Sequence, residues 1–167
     1  MATRLERSLD YPIPAQALHT AYLTEQYWRE RVAEVGGEGA RVDEIAITGD
    51  SVRVRVVHVI GEDRLPPVVT AIRPGGLEIH REEDWGPFDG SRCAGSFSAR
   101  IEGAPAQLSG TAVLDTVGDG ARITASGTAQ VGIPFVAGKV ESLVVENLQE
   151  LMESERDFTV EWVHAHA

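Results

Sequence analysis

Cysteine and lysine are almost absent from this chain: Cys93 and Lys139 are the only ones in 167 residues. A lone thiol closes no internal disulfide, so a buried core rather than cross-links must hold the fold. Long apolar runs are missing as well. No stretch approaches the roughly 18 consecutive apolar residues that a membrane-spanning helix needs. Met1 to Arg7 lack the apolar centre of a secretion signal, and with the single cysteine this sets the expectation of a cytoplasmic protein. Positive charge is scarce, with 15 Lys and Arg against 26 Asp and Glu and a net charge of −11. The basic residues are scattered, which argues against nucleic acid as a partner, because neutralising phosphates takes clustered Arg and Lys. The same acidity disfavours standing association with an anionic membrane. There is no HExxH, no Gly-rich phosphate loop and no Gly-x-Ser-x-Gly. His164 and His166 have a superficial metal-pair spacing without companion ligands, so neither a metal nor a cofactor is expected.

What the chain does have is a long amphipathic segment at its C-terminal end. From Phe135 to Ala165 no proline interrupts it, and Gly138 is its only glycine. Val140, Leu143 and Val144, Leu148, Leu151 and Met152, Phe158, and Trp162 and Val163 recur at steps of three and four, which places them on one helical face. One continuous helix is expected over 136–164, entered from Ile133-Pro134. At ~1.5 Å per residue it would run roughly 45 Å, and a helix that long needs an equally long apolar partner. Asn147 and Glu155 lie close to the apolar stripe and read as boundary positions or as polar groups turned towards a cavity.

Alternating segments supply the partner. Strands are expected at 3–11, 41–48, 52–60, 77–85, 92–101, 106–117 and 121–132. Turn chemistry separates them: Gly49-Asp50, Gly86-Pro87-Phe88-Asp89-Gly90, Gly103-Ala104-Pro105 and Gly118-Asp119-Gly120. Between the first two strands, Pro14 to Val35 reads as two short helices broken at Leu23-Thr24. Thr24 is a fitting N-cap for the second, whose buried side carries Tyr27, Trp28, Val32 and Val35. The proline- and glycine-rich stretch 62–76 is expected to be a loop with one helical turn at Val68–Ile72. No repeat or linker divides the chain, and residues 1–167 read as one α+β domain.

This order of elements, together with Tyr11-Pro12-Ile13-Pro14-Ala15 and Tyr27-Trp28, resembles the helix-grip fold of the START-like (SRPBCC) superfamily. That superfamily includes birch-pollen allergens, lipid-transfer domains and polyketide cyclases. Asp84-Trp85-Gly86-Pro87 and the run from Val131 to Glu141 resemble an uncharacterised bacterial branch of it. The resemblance covers nearly the whole chain. It implies a curved antiparallel sheet of about seven strands wrapped on the C-terminal helix, with a cavity between them. It does not imply one activity, because fold does not fix function.

Strand parity selects the side chains that face such a cavity. On 52–60, Val52, Val54, Val56, His58 and Ile60 share the inner face; on 77–85 it carries Leu77, Ile79, Arg81, Glu83 and Trp85. Phe97 faces inward on the next strand, and Ala125, Gly127 and Ala129 form a floor of very small side chains beside Gly110 and Ala112. That floor permits either close packing or open volume. Val144, Leu148 and Leu151 would cover it from the helix. His58, Arg81 and Glu83 interrupt apolar parities, and an inward charge needs a partner, so they read either as a structural ion pair or as a polar anchor for a ligand carboxylate, phenol or carbonyl. Cys93 and the tryptophans Trp28, Trp85 and Trp162 read as core or rim residues. The leading expectation is a module that holds a small apolar molecule, lipid-like or polyketide-like, in this cavity. A cyclase, dehydratase or hydrolase using His58, Arg81 and Glu83 is the enzymatic alternative. A protein-interaction module of the chaperone-regulator type, its partner unspecified, is the third.

Overall fold

The computed structural model of the protein describes residues 2–65, 67–72, 74–132 and 137–167. Strand β1 (Ala2–Tyr11) leads into helices α1 (Ala15–Tyr22) and α2 (Glu25–Val35). The hairpin β2 (Arg41–Thr48) and β3 (Ser51–Ile60) follows, then a 3-10 turn at Glu62–Arg64 and the short α3 (Pro67–Ile72). Strands β4 (Leu77–Trp85), β5 (Arg92–Ile101), β6 (Ala106–Val117) and β7 (Gly120–Val131) complete the sheet, and α4 (Ala137–Ala165) closes the chain. The helix is continuous from Ala137; the expected entry at Ile133-Pro134, and residue 136, lie outside the described residues.

The seven strands form one curved antiparallel sheet in the order β1-β7-β6-β5-β4-β3-β2. Six of them make a meander, and β1 joins its far edge by pairing with β7 from Ala2↔Gln130 to Tyr11↔Ala121. The register puts Arg53 opposite Asp84 and Arg55 opposite Glu82 on the outer face. Both pairs form ion pairs there, at 2.8 and 3.1 Å. Thr24 occupies the N-cap of α2, but its hydroxyl donates back to the Thr20 carbonyl at 2.9 Å instead of capping the new helix.

The inner face is filled unevenly, and this locates the site. At one end, α1, α2 and the C-terminal half of α4 pack an aromatic core. Tyr22 stacks on Trp28 at 5.2 Å and on Trp85 at 5.1 Å, and Tyr27 meets Trp162 edge-on at 5.3 Å. The indole N–H groups are satisfied, Trp28 by the Tyr22 carbonyl and Trp85 by Glu83, as large buried aromatics require. Towards the other end the N-terminal half of α4 lies over the sheet. There Leu5, Leu108, Ala129 and Val145 are buried, while Val144 and Leu148 stay half-buried although they sit on the apolar stripe. Apolar side chains left half-covered inside a fold mark unfilled space.

Candidate functional site

A hollow of about 330 Å3 lies between β3–β7 and the N-terminal half of α4. Val59, Ile60, Ile79, Leu108, Val140 and Val144 contribute apolar wall, and Ala99, Ala106 and Ala129 keep the sheet side low. It reaches the surface beside Arg64, Arg100 and Glu150, which are exposed. Its inner end is polar, formed by His58 and Arg81.

Behind that polar end is a buried cluster drawn from α2, β3, β4 and α4. Glu155 of α4 is its centre. It accepts from Arg31 Nε at 3.0 Å and from Arg81 Nη1 at 3.0 Å. Arg31 also reaches Glu83 at 3.1 Å, and Glu83 accepts the Trp85 indole N–H at 2.8 Å. The Arg31 guanidinium lies over the Trp28 ring at 4.8 Å, a cation–π contact that further compensates its burial. Thr159 joins Tyr27 at 2.6 Å and donates to the Glu155 carbonyl, tying the helix to α2. Burial alone would raise the Glu155 carboxyl, but Arg31 and Arg81 more than offset it and hold it below the ordinary carboxylate range.

His58 is fixed by two opposed contacts. Nδ1 sits 3.2 Å from the Gly36 carbonyl and Nε2 3.1 Å from Arg81 Nη1. A guanidinium can only donate, so Nε2 accepts and Nδ1 carries the proton. Burial, then the Arg81 charge, pushes its pKa down to about 4, so the imidazole is neutral at physiological pH. Gly36 makes this approach possible: a Cβ there would stand 2.5 Å from the Val32 carbonyl and 3.3 Å from His58 Nδ1.

His58, Arg81 and Glu83 thus face inward, and Glu82 and His80 face outward. Arg81 Nη1 meets His58, and Arg81 Nη2 lies 3.9 Å from Glu83. Of the residues expected to line one cavity, His58, Arg81, Ala129, Val144, Leu148 and Leu151 border the large hollow. Glu83, Phe97 and Ala125 border a separate 60 Å3 space on the aromatic side of Arg81, which Arg81 and Leu148 also line. Gly127 borders neither. It pairs with Gly110, and the end of the Phe97 ring lies 3.1 Å from where a Gly127 Cβ would be and 2.7 Å from a Gly110 Cβ. The small floor is therefore two things. Gly110 and Gly127 give close packing under Phe97, whereas Ala129 leaves room.

Arg31 is not among the residues expected from sequence, and Glu155 reads there only as a boundary or cavity position. The signal for both is nevertheless present. Arg31 falls three and four residues after Trp28 and Tyr27 on the buried side of α2. Glu155 falls four after Leu151 and three before Phe158 on α4. Charges of opposite sign inside two apolar stripes point to each other.

A curved sheet gripping a long C-terminal helix, with an apolar hollow at one end, is the helix-grip fold. The chain belongs to the family described as "Protein of unknown function (DUF2505)", whose pattern matches residues 6–163. It is 34% identical over 170 residues to the uncharacterized protein Rv0481c of Mycobacterium tuberculosis (strain H37Rv), covering 98% of both chains. Among solved structures it is similar to TTHA0849 of Thermus thermophilus, with a TM-score of 0.61, 22% identity and 99% of each chain covered. It is also similar to the ZhuI aromatase/cyclase of Streptomyces sp. R1128, with a TM-score of 0.61 and 8% identity over 98% of this chain and 94% of that one. At these identities the structural likeness concerns the fold. No described helix is long and apolar enough to cross a membrane.

Proposed function

We propose that this protein binds a small, mostly apolar molecule in the hollow between the sheet and the N-terminal half of α4, with the ligand's polar end turned towards Arg81 and His58. One observation carries the reading: apolar wall encloses about 330 Å3 and ends on a fixed, hydrogen-bonding pair. Ligand sites of small-molecule binders combine these two features, a greasy enclosure for affinity and a few placed polar groups for orientation. A purely structural sheet–helix contact would instead be filled, because interiors pack to crystal-like density. The aromatase/cyclase among the structural neighbours supports a small-molecule role for the fold without naming a ligand for this chain. The Arg31–Glu155–Arg81 bridge holds the polar end rigid, so a ligand meets it without reorganising it.

The test is titration with N-phenyl-1-naphthylamine, a neutral apolar probe that fluoresces on entering a dry site. The comparison protein is Ala99→Phe, which puts a ring into the hollow from β5. Wild type should bind, and the folded variant should bind at least about tenfold more weakly. Equal binding by both would mean that the hollow is not the site.

A further inference from the structure

The charge balance at the inner end of the hollow restricts what kind of polar group can dock there. Two guanidinium groups, Arg31 and Arg81, face two carboxylates, Glu83 and Glu155, and all four side chains are at most 18% exposed. Glu155 bridges both arginines, Glu83 stands against both, and their formal charges sum to zero. His58 adds no charge at neutral pH, since its Nε2 is already accepting from Arg81. Donors remain on Arg81. Arg81 Nη1 serves His58 and Glu155, and one N–H of Nη2 reaches Glu155 at 3.5 Å; the other Nη2 N–H stands 3.9 Å from Glu83, and Nε has no acceptor among the described residues. Nε is not a buried orphan either, a state found only for Arg7 Nε among the described residues, so it is open to the space around Arg81, which borders the hollow on one side and the 60 Å3 space on the other.

We propose that this end of the hollow selects ligands whose polar group is a neutral acceptor, a ketone, aldehyde or ester carbonyl, over ligands that end in a carboxylate. The inference rests on the binding reading given above and adds the ligand class. A carbonyl oxygen takes a free N–H of Arg81 and brings no charge. A carboxylate takes the same N–H but brings a full negative charge into a low-dielectric enclosure whose cations are already neutralised. Burying an uncompensated ion is far more costly than burying a hydrogen-bonded dipole. The net charge of −11 adds a field that repels anions from the whole molecule. Arg64 and Arg100 at the mouth are exposed and screened, and they offer a carboxylate much less than a buried guanidinium would.

Removing one negative charge from the cluster erodes the preference. Glu83→Gln keeps an oxygen for the Trp85 indole and leaves the cluster at a net charge of plus one; Glu155→Gln does the same from the helix side, should the first variant fail to fold. The experiment displaces N-phenyl-1-naphthylamine with 2-undecanone and with undecanoate, matched in chain length, at about pH 7.5, where the acid is ionised. In wild type the ketone should bind at least about tenfold more tightly than the acid. In a folded Gln variant the acid should gain about tenfold or more, with the ketone changed less than about threefold. An acid as tight as the ketone in wild type overturns the proposal, and so does an acid affinity unmoved in a folded variant, which would put its head at the mouth beside Arg64. If the probe binds the hollow but neither compound displaces it, the ligand class is wrong while the binding reading survives. If the probe itself does not bind, both fall.

Discussion

His58 makes a prediction that can be worked through in numbers. The side chain is buried and neutral, its pKa about 4 in the fold against an ordinary value of 6.5, lowered by burial and then by Arg81. Between these two values the unfolded chain takes up a proton that the folded protein refuses. Acid therefore favours unfolding, and the contribution of His58 is fully present above about pH 6.5 and is lost as pH falls towards about 4. Between pH 7 and pH 5 this loss amounts to about 2 kcal/mol. Glu155, with an ordinary value of 4.5 and a lowered value in the fold, gives up its own contribution only below that window. With a urea slope of ~2 kcal/mol per molar, the loss at His58 moves the unfolding midpoint down by about 1 M between pH 7 and pH 5. His58→Gln keeps an oxygen that can accept from Arg81 and does not titrate. Its midpoint should be lower than wild type at pH 7, but should move about 1 M less on going to pH 5. The other histidines are common to both proteins and cancel. If wild type and variant lose the same amount, His58 is not held neutral, and the hydrogen-bond directions derived for it are wrong.

The ion cluster and the glycine floor give two more expectations. Arg31→Met strips Glu155 of one partner and leaves Glu83 with a 3.9 Å contact to Arg81 and the Trp85 indole; breaking a buried pair from one side should cost about 3–5 kcal/mol in chemical denaturation, and a loss under about 1 kcal/mol would contradict the cluster's geometry. Gly127→Ala drives a Cβ to within 2.4 Å of the Ser109 carbonyl oxygen under the Phe97 ring; it should cost about 1–3 kcal/mol by thermal melting without weakening probe binding, whereas unchanged stability would show the strands free to part there.

Much of the architecture is legible in the residue pattern, and for physical reasons. Strands β2, β4, β5 and β6 have the expected ends, β1 and β3 begin one residue early and β7 is shifted one residue early at both ends, because alternation and turn-forming glycines constrain the backbone locally. Parity also marks the inner-face positions of His58, Arg81 and Glu83, since one register error would invert the whole set. Parity does not say which inward residues share a space. Arg31 and Glu83 are 52 positions apart and Arg31 and Glu155 are 124 apart, so their meeting depends on how α2 and α4 cross the sheet. The open end of the floor is undetermined by sequence for the same reason: Ala129 and Gly127 are neighbours on one face, and only the reach of Phe97 from β5 fills one and spares the other.

The hollow beneath the N-terminal half of α4 is where we propose that a small molecule sits. Titrating isotope-labelled protein with 2-undecanone, and following the backbone amide and methyl signals by heteronuclear NMR, tests it most directly. Binding in the hollow predicts saturable shifts concentrated at Ile79, Ala99, Leu108, Ala129, Val144 and Leu148, with Arg81 side-chain signals moving in step. Shifts confined to the outer face around Arg53, Arg55 and Glu82, or no saturable shift up to the solubility of the ketone, would contradict it.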